Sequence, residues 1–417
     1  MEVATETPVL FQSRKVGEVV KKVHYSFKYE NQTSDNVQVW LANPPETYAQ
    51  SLLSEEKRTP EQEFKDDIGN RISYYELAPG EEIHASYHVG LQEGAAASSP
   101  LTNEEKERYT RSTAMIPVNE DMEKMAWGIT KKSSDDKEKA WLLFQHMIKH
   151  YTYKFPVKAR GVAHFLQAKK GDCGEYSFLY ASLCRSLNIP CRVMVGAFAM
   201  GKHQAHVWNE VYLEGEGWIP VDTSMAYTVR KQLWRFFFSS IRTLRWRKYF
   251  GQTENQRIVF SIDTEHVPTP FYPKDETKGS HPYETFPLAG ESFAWGKSSL
   301  HGTIPYFQPM YFYYQAEKPH KLKRTEEALG SWEVKEADKL KGLLDLRKVS
   351  GYLSLFLAIT FLFTGWEIAS ILFPFPAFAY CLSFWMRRER PLFFSVASGF
   401  FGVISLLVTL GFLSEFI

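Results

Sequence analysis

Cysteine is scarce in this chain: four residues in 417, at positions 173, 184, 191 and 381. That is too few for a disulfide framework at this size, and a reducing compartment fits. Net charge is almost absent as well, 49 basic against 48 acidic residues leaving +1. Bulk electrostatics therefore nominate no nucleic acid or other polyanion as a partner. A glycine-rich phosphate loop, a dinucleotide fingerprint and a Gly-x-Ser-x-Gly elbow are missing, and with them the signatures of nucleotide and serine-hydrolase chemistry. Acidic residues never take EF-hand spacing, and no Cys/His set takes zinc-finger spacing. Neither a metal nor another cofactor is expected. Met1 to Lys22 lacks an apolar segment ahead of a small-residue cleavage site, so nothing there reads as a secretory signal.

What is present is a globular composition, 44% hydrophobic and 23% charged, long enough for two or three domains. From about residue 17 to 93 the hydrophobicity alternates with period two. Tyr25, Phe27 and Tyr29 form one run, Val37, Val39 and Leu41 another, and Ile83, Ala85, Tyr87 and Val89 a third. Turn residues at Asn31–Asp35, Asn43-Pro44-Pro45, 67–70 and Pro79-Gly80 separate them. The pattern predicts a β-sandwich-like N-terminal domain over 1–105 with no chemistry of its own. A helix capped near Ser134 follows, with Trp141, Phe144, Met147 and Tyr151 on one face.

The chemistry concentrates between Gly171 and Asp222. Gly171-Asp172-Cys173-Gly174-Glu175-Tyr176 opens a helical stripe of Tyr176, Leu179, Tyr180, Leu183 and Leu187, closed by Asn188 and Pro190. Cys173 falls at the first turn, where the helix dipole should lower its pKa. A strand from Cys191 leads to two alternating segments, His206–Tyr212 and Trp218–Asp222, around the turn Glu214-Gly215-Glu216-Gly217. That hairpin predicts His206 and Asp222 near one end. A thiol, an imidazole to take its proton and a carboxylate to hold the imidazole are the parts of nucleophilic acyl transfer. Cys184 and Cys191 read as packing residues. His203, three residues before His206, could pair with Cys173 on a metal, but no two ligands here have the spacing of a known site.

The Gly-Asp-Cys helix start, Leu-Cys-Arg-Ser-Leu-Asn-Ile-Pro-Cys-Arg-Val-Met, His-Val-Trp-Asn-Glu-Val and Gly-Trp-Ile-Pro-Val-Asp together resemble the transglutaminase-like superfamily. The resemblance implies an α+β, papain-like core over 106–265, with Cys173 as nucleophile, His206 as general base and acid, and Asp222 as orienting carboxylate. It implies a protein or peptide substrate and a thioester intermediate, resolved by water in an amide hydrolase or by an amine in a transglutaminase. Gln167 occupies the offset at which papain-like enzymes carry an oxyanion donor. The same resemblance also admits a catalytically inactive protein-binding module or adaptor at the membrane.

Downstream, 266–348 reads as an extended, β-rich wrap and charged linker. Residues 349–417 carry three apolar runs, Val349–Trp366, Ile368–Met386 and Pro391–Leu413, each near the length that crosses about 30 Å of hydrocarbon as a helix. Lys339, Lys341, Arg347 and Lys348 precede the first run, and Arg387, Arg388 and Arg390 follow the second. Cationic flanks on both sides predict a multi-pass protein with its N-terminal portion in the cytoplasm. Between Arg230 and Phe250, Arg235, Arg242, Arg245 and Arg247 interleave with Trp234 and Trp246, without an acid. That composition suits an anionic bilayer surface, and equally a surface helix packed on its own domain. Oligomeric state leaves no mark in the sequence.

Overall fold

The computed structural model describes residues 19–92, 100–131, 133–157, 160–199, 204–231, 244–273, 286–288, 291–293, 299–300, 302–313, 329–334, 337–386 and 391–414. It divides into two compact units, one comprising 1–228 with 246–334, the other 229–245 with 335–417.

The first unit opens with strands β1 (Val19–Glu30), β2 (Val37–Asn43), β3 (Gln50–Lys57), β4 (Gln62–Lys65), β5 (Arg71–Leu77) and β6 (Glu82–Gln92). The period-two expectation is realised: Val23, Tyr25, Phe27 and Tyr29 are buried while Lys28 and Glu30 are exposed. These strands divide between two four-stranded sheets. Each sheet takes an edge strand from far down the chain. β15 (Met310–Tyr313) pairs with β2, and β16 (Ser331–Val334) pairs with β1. Part of the expected wrap is thus built into the sandwich. Tyr29 meets Phe312 with ring centroids 6.2 Å apart. The Tyr87 hydroxyl donates to Asn43 Oδ1 at 2.5 Å, joining the two sheets.

Three helices follow, α1 (Asn103–Thr110), α2 (Glu120–Thr130) and α3 (Asp136–His150). Asp135, not Ser134, caps α3 by accepting from Glu138 N–H. β7 (Thr152–Tyr153), α4 (Val162–Ala168) and β8 (Lys170–Gly171) lead into α5 (Cys173–Arg185). Gly174 through Arg185 are all buried, so α5 is enclosed on every side. The apolar stripe expected for one face understates its burial.

β9 (Cys191–Phe198), β10 (Gln204–Leu213) and β11 (Gly217–Val221) form the sheet against which α5 packs. After α6 (Thr223–Lys231), β12 (Arg257–Ile262) completes it, in the order β11-β10-β9-β12. Two side-chain amides from the sandwich finish the free edge of β12. Gln50 bonds Val259 N–H and C=O at 2.8 and 3.1 Å, and Asn70 bonds those of Ile262 at 2.7 and 2.9 Å. Each amide does what one residue of a further strand would do, so β12 is held without a fifth strand. A small hairpin, β13 (Phe286–Leu288) with β14 (Glu291–Phe293), lies in the segment after β12.

In the second unit, the helix Ala337–Thr364 turns at Gly365 (φ 64°) into Glu367–Leu372 and Pro374–Met386, followed by Pro391–Ser414. The Arg347 guanidinium lies 3.6 Å from the centre of the Phe384 ring. The start of the first helix therefore meets the end of the second, and the two run as an antiparallel hairpin. Two stretches are long and apolar enough to cross a membrane, Asp345–Thr364 and Glu367–Met386. Within the helix Pro391–Ser414 the stretch Val396–Gly411 is apolar, and among the described residues two of the three expected spans are long and apolar enough to cross. Their apolar side chains point outward: Phe356, Leu362 and Phe363 expose 61, 77 and 85% of their surface.

Candidate active site

Cys173 stands at the first turn of α5 because the residues around it form a complete capping box. Asp172 accepts from Gly174 N–H at 2.9 Å, and Glu175 reaches back to Asp172 N–H at 3.3 Å. Arg160 binds both carboxylates, Asp172 at 2.8 Å and Glu175 at 3.3 Å. Gly171 admits no larger residue, since a Cβ there would lie 2.8 Å from the Phe165 ring and from Glu175 Cβ.

β10 supplies the second side chain. Asn209 Nδ2 donates to the Ser177 carbonyl at 3.0 Å, fastening β10 to α5. β11 ends at Val221, opposite Asn209. Beyond that point the edge of β10 faces α5, and the Val207 backbone acts on the Cys173 thiol in the direction that lowers it. His206, one residue earlier, is buried and stacked on Phe198 at 4.4 Å.

Asp222 follows β11 directly and caps α6. Its Oδ1 accepts from Ser224 Oγ and Met225 N–H, both at 2.8 Å. Its Oδ2 accepts from His206 Nε2 at 2.7 Å and meets Arg257 Nη1 at 2.8 Å. Burial would raise this carboxyl, but the His206 and Arg257 charges outweigh it and hold Asp222 far below the usual carboxylate range. With Nε2 committed to Asp222, Nδ1 is the ring nitrogen left for proton exchange.

The thiol itself corrects an expectation. Burial pushes Cys173 well above its ordinary value, and the negative charges of Asp172, Asp222 and Glu175 add to the shift; the Val207 N–H opposes it. The helix dipole, worth about 1 kcal/mol at a helix terminus, does not offset desolvation beside three carboxyl groups. Glu175 is raised by burial and by Asp172, whereas Arg160 and the capping N–H help keep Asp172 low against its own burial.

Several residues emerge only from the fold. Arg257 carries Asp222 on one side and a fork of Glu254 oxygens, at 2.6 and 3.0 Å, on the other. Its guanidinium lies over Trp208 at 4.9 Å and Phe198 at 5.4 Å. Gln308 Nε2 donates to the carbonyls of Gly196 (2.8 Å) and His206 (3.2 Å), clamping the β9–β10 pair at the imidazole. The sequence held one clue, a charged Glu-x-x-Arg step opening an otherwise apolar strand.

Gln167 is exposed on α4, and among the described residues no hydrogen bond joins it to the Cys173 region. Trp234, Arg235 and Arg242 lie outside the described residues, as does His203. Arg245 and Arg247 are exposed, but Trp246 is half-buried and stacks on Trp141 and Phe144 at 6.0 and 6.2 Å. That tryptophan packs on its own domain. Cys184 and Cys191 are fully buried, and the four cysteines are free thiols.

Comparison with known proteins converges on the same region. The profile of the transglutaminase-like superfamily matches residues 123–223. A peptide-N(4)-(N-acetyl-beta-glucosaminyl)asparagine amidase of Drosophila melanogaster is 30% identical over 126 residues, 24% of this chain. The match spans 19% of that amidase. Among solved structures, a candidate cysteine protease from Cytophaga hutchinsonii is similar with TM-score 0.44 and 16% identity, over 58% of this chain and 80% of that one. The periplasmic domain of TgpA from Pseudomonas aeruginosa gives 0.35 and 14%, over 52% and 93%. Residues 123–223 of this mixed α+β chain, which has two long apolar C-terminal stretches among its described residues, thus match the core of the transglutaminase-like superfamily.

Proposed function

We propose that this protein is a membrane-anchored, cysteine-dependent amide hydrolase. In this reading Cys173 attacks an amide carbonyl while His206 takes the thiol proton and passes it to the departing amine. Asp222 fixes the imidazole with Nε2 inward and stabilises the imidazolium. The thioester on Cys173 is then opened by water, His206 acting as base. The Cys173 N–H at the head of α5 faces the developing oxyanion.

The observation that carries the reading is the Asp222–His206 bond at 2.7 Å, on a strand fastened to the helix that Cys173 opens. Because the thiol is raised, the base must remove its proton during attack, not beforehand. The name of the Drosophila relative, an amidase acting on an asparagine linkage, supports an amide as the bond attacked.

For the membrane, support comes from the outward-facing apolar hairpin at Arg347–Phe384 and its cationic flanks. Those flanks favour a cytoplasmic site. The test is to incubate the detergent-solubilised full chain with casein and a labelled primary amine. Peptide fragments support hydrolysis. Amine incorporation makes it a transferase, and neither product, with Cys173 no more reactive to iodoacetamide than other thiols, makes it an inactive adaptor.

A further inference from the structure

Asp222 Oδ2 has two partners, an imidazole and a guanidinium, and the second has no part in the proton transfers just described. His206 Nε2 sits 2.7 Å away and Arg257 Nη1 2.8 Å away. A guanidinium there should work against the triad, because it draws on the carboxylate charge that must stabilise the imidazolium. Glu254 supplies the compensation through its fork onto Arg257 at 2.6 and 3.0 Å. All four side chains are almost wholly buried, so their charges are poorly screened. With neutral imidazole the set carries one net negative charge; with imidazolium it is neutral.

We infer that Arg257 and Glu254 are positioning residues that set the proton affinity of His206 through Asp222, Glu254 favouring the imidazolium and Arg257 restraining it. The inference rests on the reading of Cys173 and His206 as a proton-exchanging pair. Arg257 also fixes where Asp222 points. It lies over Trp208 and Phe198, and Phe198 stacks on the imidazole. Other ionisable groups bear on the same cluster. Asp172 and Glu175 on α5 act on Cys173, while Tyr249 and Tyr48 act on Arg257. None of these changes in the variants below.

The experiment reads Cys173 alkylation by iodoacetamide at pH 7 in the full chain, site by site, by mass spectrometry. Arg257→Gln should accelerate alkylation and Glu254→Gln should slow it, each by about three- to tenfold, equivalent to about half to one pK unit. The double variant Arg257→Gln/Glu254→Gln should return to within about twofold of the parent, and Arg257→Lys should stay near it. Cys184 and Cys191, fully buried, report folding in the same spectrum. A variant that labels there is discarded, and the double variant and Arg257→Lys then decide. Single variants moving in the same direction, or a double variant that stays displaced, overturn the inference. A parent whose Cys173 reactivity is unchanged by His206→Ala overturns the underlying catalytic reading instead.

Discussion

The backbone of Val207, the residue directly after His206, bears on the Cys173 thiol and favours its charged form. Helix α5 and strand β10, fastened by the Asn209–Ser177 bond, therefore hold the proposed nucleophile and base on neighbouring elements. Desolvation and three carboxyl groups oppose that effect and outweigh it.

Removing the imidazole should therefore leave a thiol that ionises only in strong alkali. In His206→Ala, alkylation of Cys173 is expected to be slow at pH 7. It should climb about tenfold per pH unit through the alkaline range, tracking thiolate concentration. The unmodified protein should react faster at pH 7. Identical profiles would show that imidazole and thiol are not coupled.

Asp222→Asn removes the charge while nearly preserving shape. Turnover should fall by about 10³- to 10⁴-fold, since the amide no longer enforces the tautomer or stabilises imidazolium. Stability should fall too, by about 3–5 kcal/mol, because Arg257 loses a buried counter-charge. The native carboxyl is held below its ordinary value. Its stabilisation is thus complete above pH 3.8 and lost as pH falls toward the depressed value. Urea melts from pH 7 down to about pH 3 should show the gap between the two proteins begin to narrow below pH 3.8 and remain open at pH 3.

Glu175 runs the opposite way. Its folded value is raised above 4.5 by burial and by Asp172, so between those values the folded state holds a proton that the unfolded state has released. Stability must decline as pH rises through that window. Glu175→Gln should flatten the decline, measured as Tm against pH. An unchanged slope would mean that Glu175 is ionised throughout.

Gly196 sits opposite His206 in the β9–β10 ladder, and a Cβ there would fall 1.9 Å from the Ile258 carbonyl. β12 shifts register between Val259 and Ser261, close to this approach. Gly196→Ala should cost about 3 kcal/mol through overpacking against backbone. Because β12 carries Arg257, Cys173 reactivity should change along with Tm. A variant with native Tm and reactivity would contradict this dependence.

Phe356 lies inside the first apolar stretch and is 61% exposed. If that face meets lipid, Phe356→Arg should disfavour insertion by about 3 kcal/mol. Carbonate extraction would then release more of the variant than of the parent. Equal retention would argue for another mode of attachment.

The helix that Cys173 opens, the strand pattern of the sandwich and the apolar C-terminus were legible from local order. Caps, period-two alternation and apolar runs are properties of neighbouring residues, and local backbone geometry expresses them directly. Cys173, His206 and Asp222 could be named because each opens or closes an element whose limits the sequence marks. Tertiary structure alone decided that β15 and β16 complete sheets begun some 270 to 310 residues earlier. It also decided that Arg257 shares Asp222 with His206, and that the thiol is raised and not lowered. Desolvation and charge pairing depend on what long-range packing brings within a few ångströms, and no local pattern in the chain encodes that distance.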